Sequence, residues 1–538
     1  MRLRSYAKIN LCLDVLGKRK DGYHDVETIF QQIELYDELI LEPADSIRLK
    51  CNIKELENED NLAFKTAKLL KEHHHVKNGV SIQLKKNIPV GSGLSGGSSN
   101  AAAVMKGLNI MWKLGLSQKE LMRQGKELSM DLPFHIVGGT CLGTGRNDII
   151  EKLKDLPKYH VVLVHPGFGV STKDAYSGLE LNAVGKKRSS RKFMESYDLD
   201  LMHNDFEATV FKKHPELAQI KQKLGGHALM SGSGSCVFGL FDNEQEAEAV
   251  AESLKKQYEN VFITETINKR IDCAEVMGFC FGVKRAMDEI DKLRGKEDVF
   301  VLGKLIHNPQ VIKGLEKDGI RVVDDYTGLK GTIVVSAHGV SDNVREDITR
   351  SGLKLIDLTC PLVKKVHDIT KKEENKGRKI IVFGDRDHAE VKGIVGNLKD
   401  YAIVDGKELS DVSGKVSVVS QTTREVEDFK EVGDKIKKLN PEAEIIDTIC
   451  SSTKDRQRYA IELAKSSDLM IVVGGMISSN TKRLKEVCEK YCDTKHVETA
   501  DEMQPEWFFG KEKVGITAGA STPQWIVDEV IDALKMLI

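Results

Sequence analysis

At 538 residues the chain is too long for one hydrophobic core, and at about 100–200 residues per compact unit it implies three to five of them. Its formal net charge of −2, with no basic stripe or Arg-rich tail, argues against nucleic acid as a partner. No apolar run reaches the roughly 18–20 residues needed to span a bilayer, so no membrane association is expected and a cytoplasmic protein is. In a reducing compartment the ten cysteines read as buried thiols or ligands and not as disulfides.

The basic N-terminus alternates and is broken by Asn10 and Asp14, so it reads as a strand and not as a signal peptide. Residues 7–15 and 26–41 are the first two strands, with Asp21-Gly22-Tyr23-His24 between them. Residues 61–75 read as a helix ending in His73-His74-His75. These histidines share no helix face and have no Cys or carboxylate at ligand spacing, so a solvated helix end is expected there. A strand at 80–84 leads to Ile88-Pro89-Val90-Gly91-Ser92-Gly93-Leu94-Ser95-Gly96-Gly97-Ser98-Ser99-Asn100 and then an alanine-rich helix. Glycines let backbone approach a ligand closely, and N–H groups at a helix N-terminus suit phosphate. No Gly-Lys-Ser/Thr closes the loop, so it is not a Walker A sequence. A plain flexible loop is the bland alternative. Two later turns are weak alone: Asp131 before Leu132-Pro133-Phe134 reads as a helix cap, and Met230-Ser231-Gly232-Ser233-Gly234-Ser235-Cys236 as a hairpin entering a strand.

Together these motifs resemble the GHMP kinase superfamily, which implies an α+β fold of two subdomains. Ala7-Lys8-Ile9-Asn10-Leu11, Asp21-Gly22-Tyr23-His24 and Asn204-Asp205-Phe206-Glu207 are similar to the 4-diphosphocytidyl-2-C-methyl-D-erythritol kinases of the non-mevalonate isoprenoid pathway. The resemblance covers residues 1–268, with a nucleotide-loop subdomain over about 1–157 and an α/β subdomain over 158–268. It implies Lys8 and Asp131 as the catalytic pair and Tyr23 and His24 at the cytosine end of the substrate. It also implies Pro89, Gly91, Gly93, Leu94, Gly96, Gly97, Ser98 and Ser99 around the phosphates of ATP with Mg2+. The chemistry agrees: a carboxylate can accept the hydroxyl proton while a lysine offsets charge on the transferred phosphoryl. Tyr6, where many members have proline, and Met130, where alanine is common, leave the reacting groups intact.

Asn268-Lys269-Arg270 is too short a tether for freely swinging domains. Beyond it, residues 271–538 repeat strand–loop–helix units, which implies parallel sheets with helices on both faces. Reactive side chains stand where strands run into helices, the edge at which parallel α/β sheets bind ligands. Three such turns carry Cys280, Cys360 and Cys450, at intervals of 80 and 90 residues. Ile356-Asp357-Leu358-Thr359-Cys360 and Ile446-Asp447-Thr448-Ile449-Cys450 match in their approach. Three similar units in a pseudo-threefold arrangement, each giving one thiolate, are expected. Helix N-termini there would favour deprotonated sulfur. Three thiolates can hold three irons of a [4Fe–4S] cluster and leave the fourth open. Zinc held by three cysteines and a histidine is the rival, without CxxC or HxxxH spacing behind it. Buried free cysteine fits Cys273 better than these three, and Cys488 and Cys492 read as incidental.

Gly278-Phe279-Cys280-Phe281-Gly282-Val283, Ala337-His338-Gly339-Val340-Ser341, Thr359-Cys360-Pro361, Gly384-Asp385-Arg386-Asp387-His388 and Ser478-Ser479-Asn480-Thr481 resemble the LytB family of 4-hydroxy-3-methylbut-2-enyl diphosphate reductases. That resemblance implies Cys280, Cys360 and Cys450 as cluster ligands. It implies His307, His338, Ser478, Ser479, Asn480 and Ser521 as diphosphate ligands. Glu390 would be the proton donor, with His388 and Thr422 or Thr423 beside it. Ala389, where proline is usual, could loosen how Glu390 is aimed, and Met476 is a second departure. The expectation is thus a GHMP-type kinase followed by an iron–sulfur reductase that acts on small molecules. It would be fed by an external one-electron donor such as a ferredoxin or flavodoxin. The alternative is another small-molecule GHMP kinase fused to a non-catalytic iron–sulfur sensor.

Overall fold

The computed structural model describes residues 1–179, 188–268, 270–306, 308–406 and 412–537. The chain divides into two compact units. One is Met1–Arg270 with the short segments Gln504–Glu512 and Leu534–Ile538; the other is Ile271–Met503 with Lys513–Ala533. Among the described residues no helix is long and apolar enough to cross a membrane.

In the first unit the alternating opening becomes two long antiparallel strands, Arg2–Lys18 and His24–Ala44. Their register slips between Tyr6 and Lys8 and again between Asn10 and Cys12. Such irregularities re-aim side chains, and here they bracket Lys8 and Asn10. The two strands centre a seven-stranded sheet that also contains Arg48–Cys51, Gly79–Lys85, Thr140–Thr144, Ile149–Lys152 and the short strand His203–Asn204. The helices Leu62–His73 and Gly96–Met111 bury Ala67, Leu70, Ala101, Val104 and Leu108 against Leu39, Leu41 and Ile82 of that sheet. A second sheet is wholly antiparallel in the order Asn260–Glu265, His160–His165, Val237–Phe241, His227–Met230. Leu163, Leu229 and Phe238 on its inner face pack with Ile9, Leu11 and Ile29 of the first sheet. The helices Pro215–Leu224 and Glu244–Lys255 cover its outer face through Leu217, Ile220, Ala247, Ala251 and Leu254.

Among the described residues the second unit holds three four-stranded sheets of one recurring order. The first runs Lys354–Asp357, Thr332–Val335, Val299–Leu302, Arg321–Val323. The second runs Glu444–Ile445, Val416–Ser420, Lys379–Phe383, Tyr401–Val404. The third runs Arg270–Cys273, Lys513–Ala518, Leu469–Val473, Asp493–Val497. The edge strand named first in each sheet leads to a cysteine: Cys360, Cys450 and Cys280 respectively. Cys280 therefore does not head a first sequential unit. The strand before it completes the sheet whose other three strands come last in the chain. Cys273, expected to be buried, is exposed, because it ends that edge strand.

Candidate active sites

In the first unit the strand carrying Lys8, the Gly/Ser loop and the turn at Asp131 border one cavity of about 470 Å³. Lys8 is 3% exposed, and its Nζ donates to Asn10 Oδ1 at 2.7 Å and to the Gly93 carbonyl at 2.6 Å. Burial lowers its pKa, opposed by the charge of Asp131 and then of Cys236. Asp131 occupies the N-cap position of the helix Leu132–Val137 but makes no capping hydrogen bond. Position alone suggested a cap; the carboxylate instead lines the cavity.

Pro89, Gly91, Gly93, Gly96, Gly97 and Ser98 line the same cavity. Gly93 has φ +78°, and a Cβ there would sit 2.1 Å from the Ser231 carbonyl oxygen, so no side chain fits. The 16-residue helix Gly96–Met111 has no acidic residue in its first turn, which leaves its N-terminal dipole unopposed for an anion. Leu94 and Ser99 do not line the cavity. Leu94 is core, and Ser99 Oγ donates to the Tyr6 carbonyl at 2.7 Å, tying helix to strand. Tyr23 and His24 also lie off it: Tyr23 is 52% exposed beneath Arg146. His24 stacks at 4.6 Å on Tyr176, which does line the cavity.

Sequence reasoning missed the support beneath this loop. Asp37 is fully buried and accepts from the backbone N–H of Asn87 at 2.7 Å, of Ile88 at 2.8 Å and from Asn100 Nδ2 at 2.7 Å. It also pairs with Lys86, and both Lys86 and Asn100 line the cavity. The only hint in the sequence was a lysine at the end of a strand just ahead of Pro89.

In the second unit a cavity of about 100 Å³ is bordered by Cys280, Cys360, Cys450, His338, His388, Glu390, Thr422, Thr423, Ser478, Ser479, Asn480 and Ser521. His307 lies outside the described residues. Each cysteine is the N-cap of a helix: Phe281–Asp291, Pro361–Asn375 and Ser451–Ala464. Cys280 Sγ accepts from the Val283 N–H at 3.4 Å. Burial raises the Cys360 and Cys450 thiols, and the N–H groups of Leu362, Val363, Ser452 and Thr453 only partly offset this. The helix N-termini do favour the thiolate at these two sulfurs, as expected, but less than burial opposes it. A Cβ at Gly282 would lie 2.7 Å from Cys360 Sγ, so that sulfur is seated against bare backbone. Among the described residues the three sulfurs do not all come within 4.8 Å of one another, whereas ligand atoms of His338, His388 and Glu390 do.

Glu390 is fully buried, and its two oxygens accept from Thr422 N–H at 2.7 Å and Thr422 Oγ1 at 2.8 Å. Ala389 therefore does not leave it loose. Burial, aided by Asp385, pushes its carboxyl up to about 7 against those two hydrogen bonds. Burial and then Arg424 bring His388 down to about 4, so its ring is neutral, and its Nδ1 accepts from the Glu390 N–H at 3.2 Å. Thr423 Oγ1 lies 3.3 Å from Ser479 Oγ, and Ser521 Oγ donates to Ser478 Oγ at 3.5 Å. Sequence reasoning also missed Arg456, which is 2% exposed. Its Nη2 donates to the Gly278 carbonyl at 2.6 Å and its Nη1 to Ser452 Oγ. A charged residue six places along a helix from Cys450 reads from sequence as solvated surface.

Three family models match: GHMP kinases N terminal domain over residues 61–139, GHMP kinases C terminal over 190–260, and LytB protein over 271–535. A 4-diphosphocytidyl-2-C-methyl-D-erythritol kinase of Clostridioides difficile is 41% identical over 292 residues, which is 51% of this chain and 98% of that protein. A 4-hydroxy-3-methylbut-2-enyl diphosphate reductase of Geobacter sulfurreducens is 43% identical over 269 residues, 49% of this chain and 95% of that protein. The solved E-1-hydroxy-2-methyl-but-2-enyl-4-diphosphate reductase from Plasmodium falciparum matches with a TM-score of 0.48 and 30% identity, covering 50% of this chain and 88% of its own. The chain belongs to the GHMP kinases over its first half and to the LytB proteins over its second.

Proposed function

We propose that the chain is a bifunctional enzyme of non-mevalonate isoprenoid biosynthesis. The first unit phosphorylates 4-diphosphocytidyl-2-C-methyl-D-erythritol at its 2-hydroxyl with ATP. The second reduces 4-hydroxy-3-methylbut-2-enyl diphosphate to isopentenyl and dimethylallyl diphosphate. The observation that carries this is that each unit holds its own cavity with its own set of reacting groups.

In the kinase cavity Asp131, released from capping duty, accepts the proton of the attacking hydroxyl. Lys8 fixes the loop through the Gly93 carbonyl and offsets charge on the phosphoryl group in flight. The start of the helix Gly96–Met111 takes the phosphates of ATP, which brings Mg2+ with it. Tyr176 extends the cavity towards His24 and Tyr23, where the cytosine end is read.

In the reductase cavity Cys280, Cys360 and Cys450 would hold a [4Fe–4S] cluster, in a pseudo-threefold setting with one sulfur from each sheet. Three sulfurs delivered by three separate turns, with no CxxC pair among them, suit several irons over one zinc. When bound, the cluster supplies single electrons and a Lewis-acidic iron. The reaction takes two electrons and two protons, exchanges the allylic hydroxyl for hydrogen and releases water. Glu390 gives the proton to the leaving oxygen, and Thr422 aims it. His338, His307, Ser478, Ser479, Asn480 and Ser521 hold the diphosphate, beside neutral His388. Electrons come from an external one-electron donor, and a cluster held by thiolates suits a reducing, cytoplasmic compartment.

The intact chain, reconstituted with iron and sulfide without oxygen, is expected to develop broad iron–sulfur absorption. It should turn over both substrates, and a preparation that does neither would sink the assignment. The acid role adds a pH signature. Because the Glu390 pKa is raised to about 7, its acid form persists at neutral pH. Reduction should be flat below that value and fall about tenfold per unit above it. Glu390→Gln should lower the rate by ~10²–10⁴ and abolish the dependence. A parent profile that stays level well above neutrality would remove Glu390 from this role.

A further inference from the structure

Ser479 borders two cavities. One is the reductase cavity; the other is about 410 Å³ in volume and walled in part by Asp385, Arg483 and Glu486. The serine hydroxyl has one proton, and Ser479 Oγ donates it to Asp385 Oδ2 at 3.2 Å. With that proton committed, Ser479 Oγ accepts from Thr423 Oγ1 at 3.3 Å, and Thr423 Oγ1 accepts from Gln421 Nε2 at 2.9 Å. Gln421 Oε1 in turn accepts from the Asp385 backbone N–H at 2.9 Å, which closes a ring of four residues. A carboxylate only accepts, so Asp385 fixes the direction of the hydroxyl donors in the ring. Asp385 Oδ1 also meets Arg424 Nη2 at 3.0 Å and Arg483 Nη2 at 3.7 Å. Each arginine has a carboxylate besides, Asp405 for Arg424 and Glu486 for Arg483. These ion pairs set three carboxylates against two guanidinium groups, and Asp385 is the carboxylate that touches Ser479.

We propose that Asp385 is a positioning residue that limits how tightly the reductase cavity holds a diphosphate, by drawing the Ser479 proton to itself and placing surplus negative charge beside that serine. The proposal rests on the reductase reading above, in which Ser479 is a diphosphate ligand. To donate to a phosphate oxygen, the Ser479 hydroxyl must turn away from Asp385. The new hydrogen bond therefore replaces a charge-assisted one and adds little to it. The two anions on either side of the hydroxyl also repel each other. Such a brake has a use, because substrate and products carry the same diphosphate. Holding that group harder would lower KM without raising kcat, and it would delay product release. Arg424 and Arg483 keep their other carboxylates when the Asp385 charge is removed, so neither is left as an unpaired cation.

The test uses the full reconstituted chain with reduced methyl viologen as electron source and inorganic diphosphate as competitive inhibitor of reduction. Asp385→Asn is neutral and of the same size. It should lower KM for 4-hydroxy-3-methylbut-2-enyl diphosphate, and the inhibition constants of inorganic diphosphate and isopentenyl diphosphate, each about tenfold. Its kcat should be no higher than the parent's. Asp385→Ser should act the same way, and it carries the test if the asparagine variant takes up no iron. Glu486→Gln removes a carboxylate of the same cluster but leaves the Ser479 proton where it is, so it should move these constants by less than about threefold. Constants that stay level or rise in the Asp385 variants overturn the proposal. A rise together with a lower thermal midpoint would mean that Asp385 only braces its turns. A parent that reduces its substrate but is not inhibited by inorganic diphosphate overturns the proposal and spares the reductase reading. A parent that reduces no substrate overturns that reading itself.

Discussion

Asp131→Asn is expected to abolish phosphorylation and leave reduction at the parent rate, and Cys280→Ser to do the reverse. The two substitutions are matched because both are structurally mild. Asp131 makes no capping hydrogen bond, so asparagine takes nothing from the helix Leu132–Val137. What it loses is the proton acceptor, worth roughly 10²–10⁴ in rate. Cys280 is the N-cap of an 11-residue helix, a position where serine is among the favoured residues. The change therefore keeps the cap and removes only a soft ligand that iron requires. ATP-dependent product formation and anaerobic reduction, measured on the same preparations, give the two readouts. If either variant lost both activities while unfolding at the parent temperature, the model of two independent sites would be wrong.

Much of this was legible because the signals were local. Strict alternation marked the strands Arg2–Lys18 and His24–Ala44, and glycine density marked the loop that now borders the kinase cavity. Apolar runs ending in Cys, His, Ser or Thr marked the strand ends around the second cavity. What stayed hidden was non-local or carried by edges. Arg321–Val323, Tyr401–Val404 and Asp493–Val497 pair along one side only, so their patterns need not be apolar, and no reading picked them out. That Arg270–Cys273 joins strands more than 190 residues later is invisible to any window. So is the pairing of Lys86 with Asp37, because a lysine at a strand end reads as solvated. The same blindness applies to turn chemistry: Asp131 before a helix looks identical whether its carboxylate caps or faces a cavity.

Arg456→Met is expected to weaken the cluster-loaded protein far more than the cluster-free one. Among the described residues no carboxylate lies at ion-pairing distance from this buried guanidinium, and its Nε has no hydrogen-bond partner. Instead it joins the carbonyl two residues before Cys280 to the serine two residues after Cys450, turns that follow different sheets. Burial lowers the pKa of Arg456, opposed first by Cys280 and Cys450 and then by Asp455. Without a cluster beside it, the arginine is a buried cation held by neutral oxygens. Replacing it then trades an unpaired charge for a few unpartnered oxygens, losses of about 1–3 kcal/mol each that removal of the charge offsets. Once the thiolates hold a cluster the same change strips half-buried anions of their counter-charge, which costs up to the about 3–5 kcal/mol found where buried pairs have been broken. Bleaching of the iron–sulfur absorption by a chelator should therefore run at least about tenfold faster in Arg456→Met, since 1.4 kcal/mol corresponds to a factor of ten. The thermal midpoint of the cluster-free variant should stay within a few degrees of its parent. Equal losses in both forms would mean that Arg456 serves only to brace two turns.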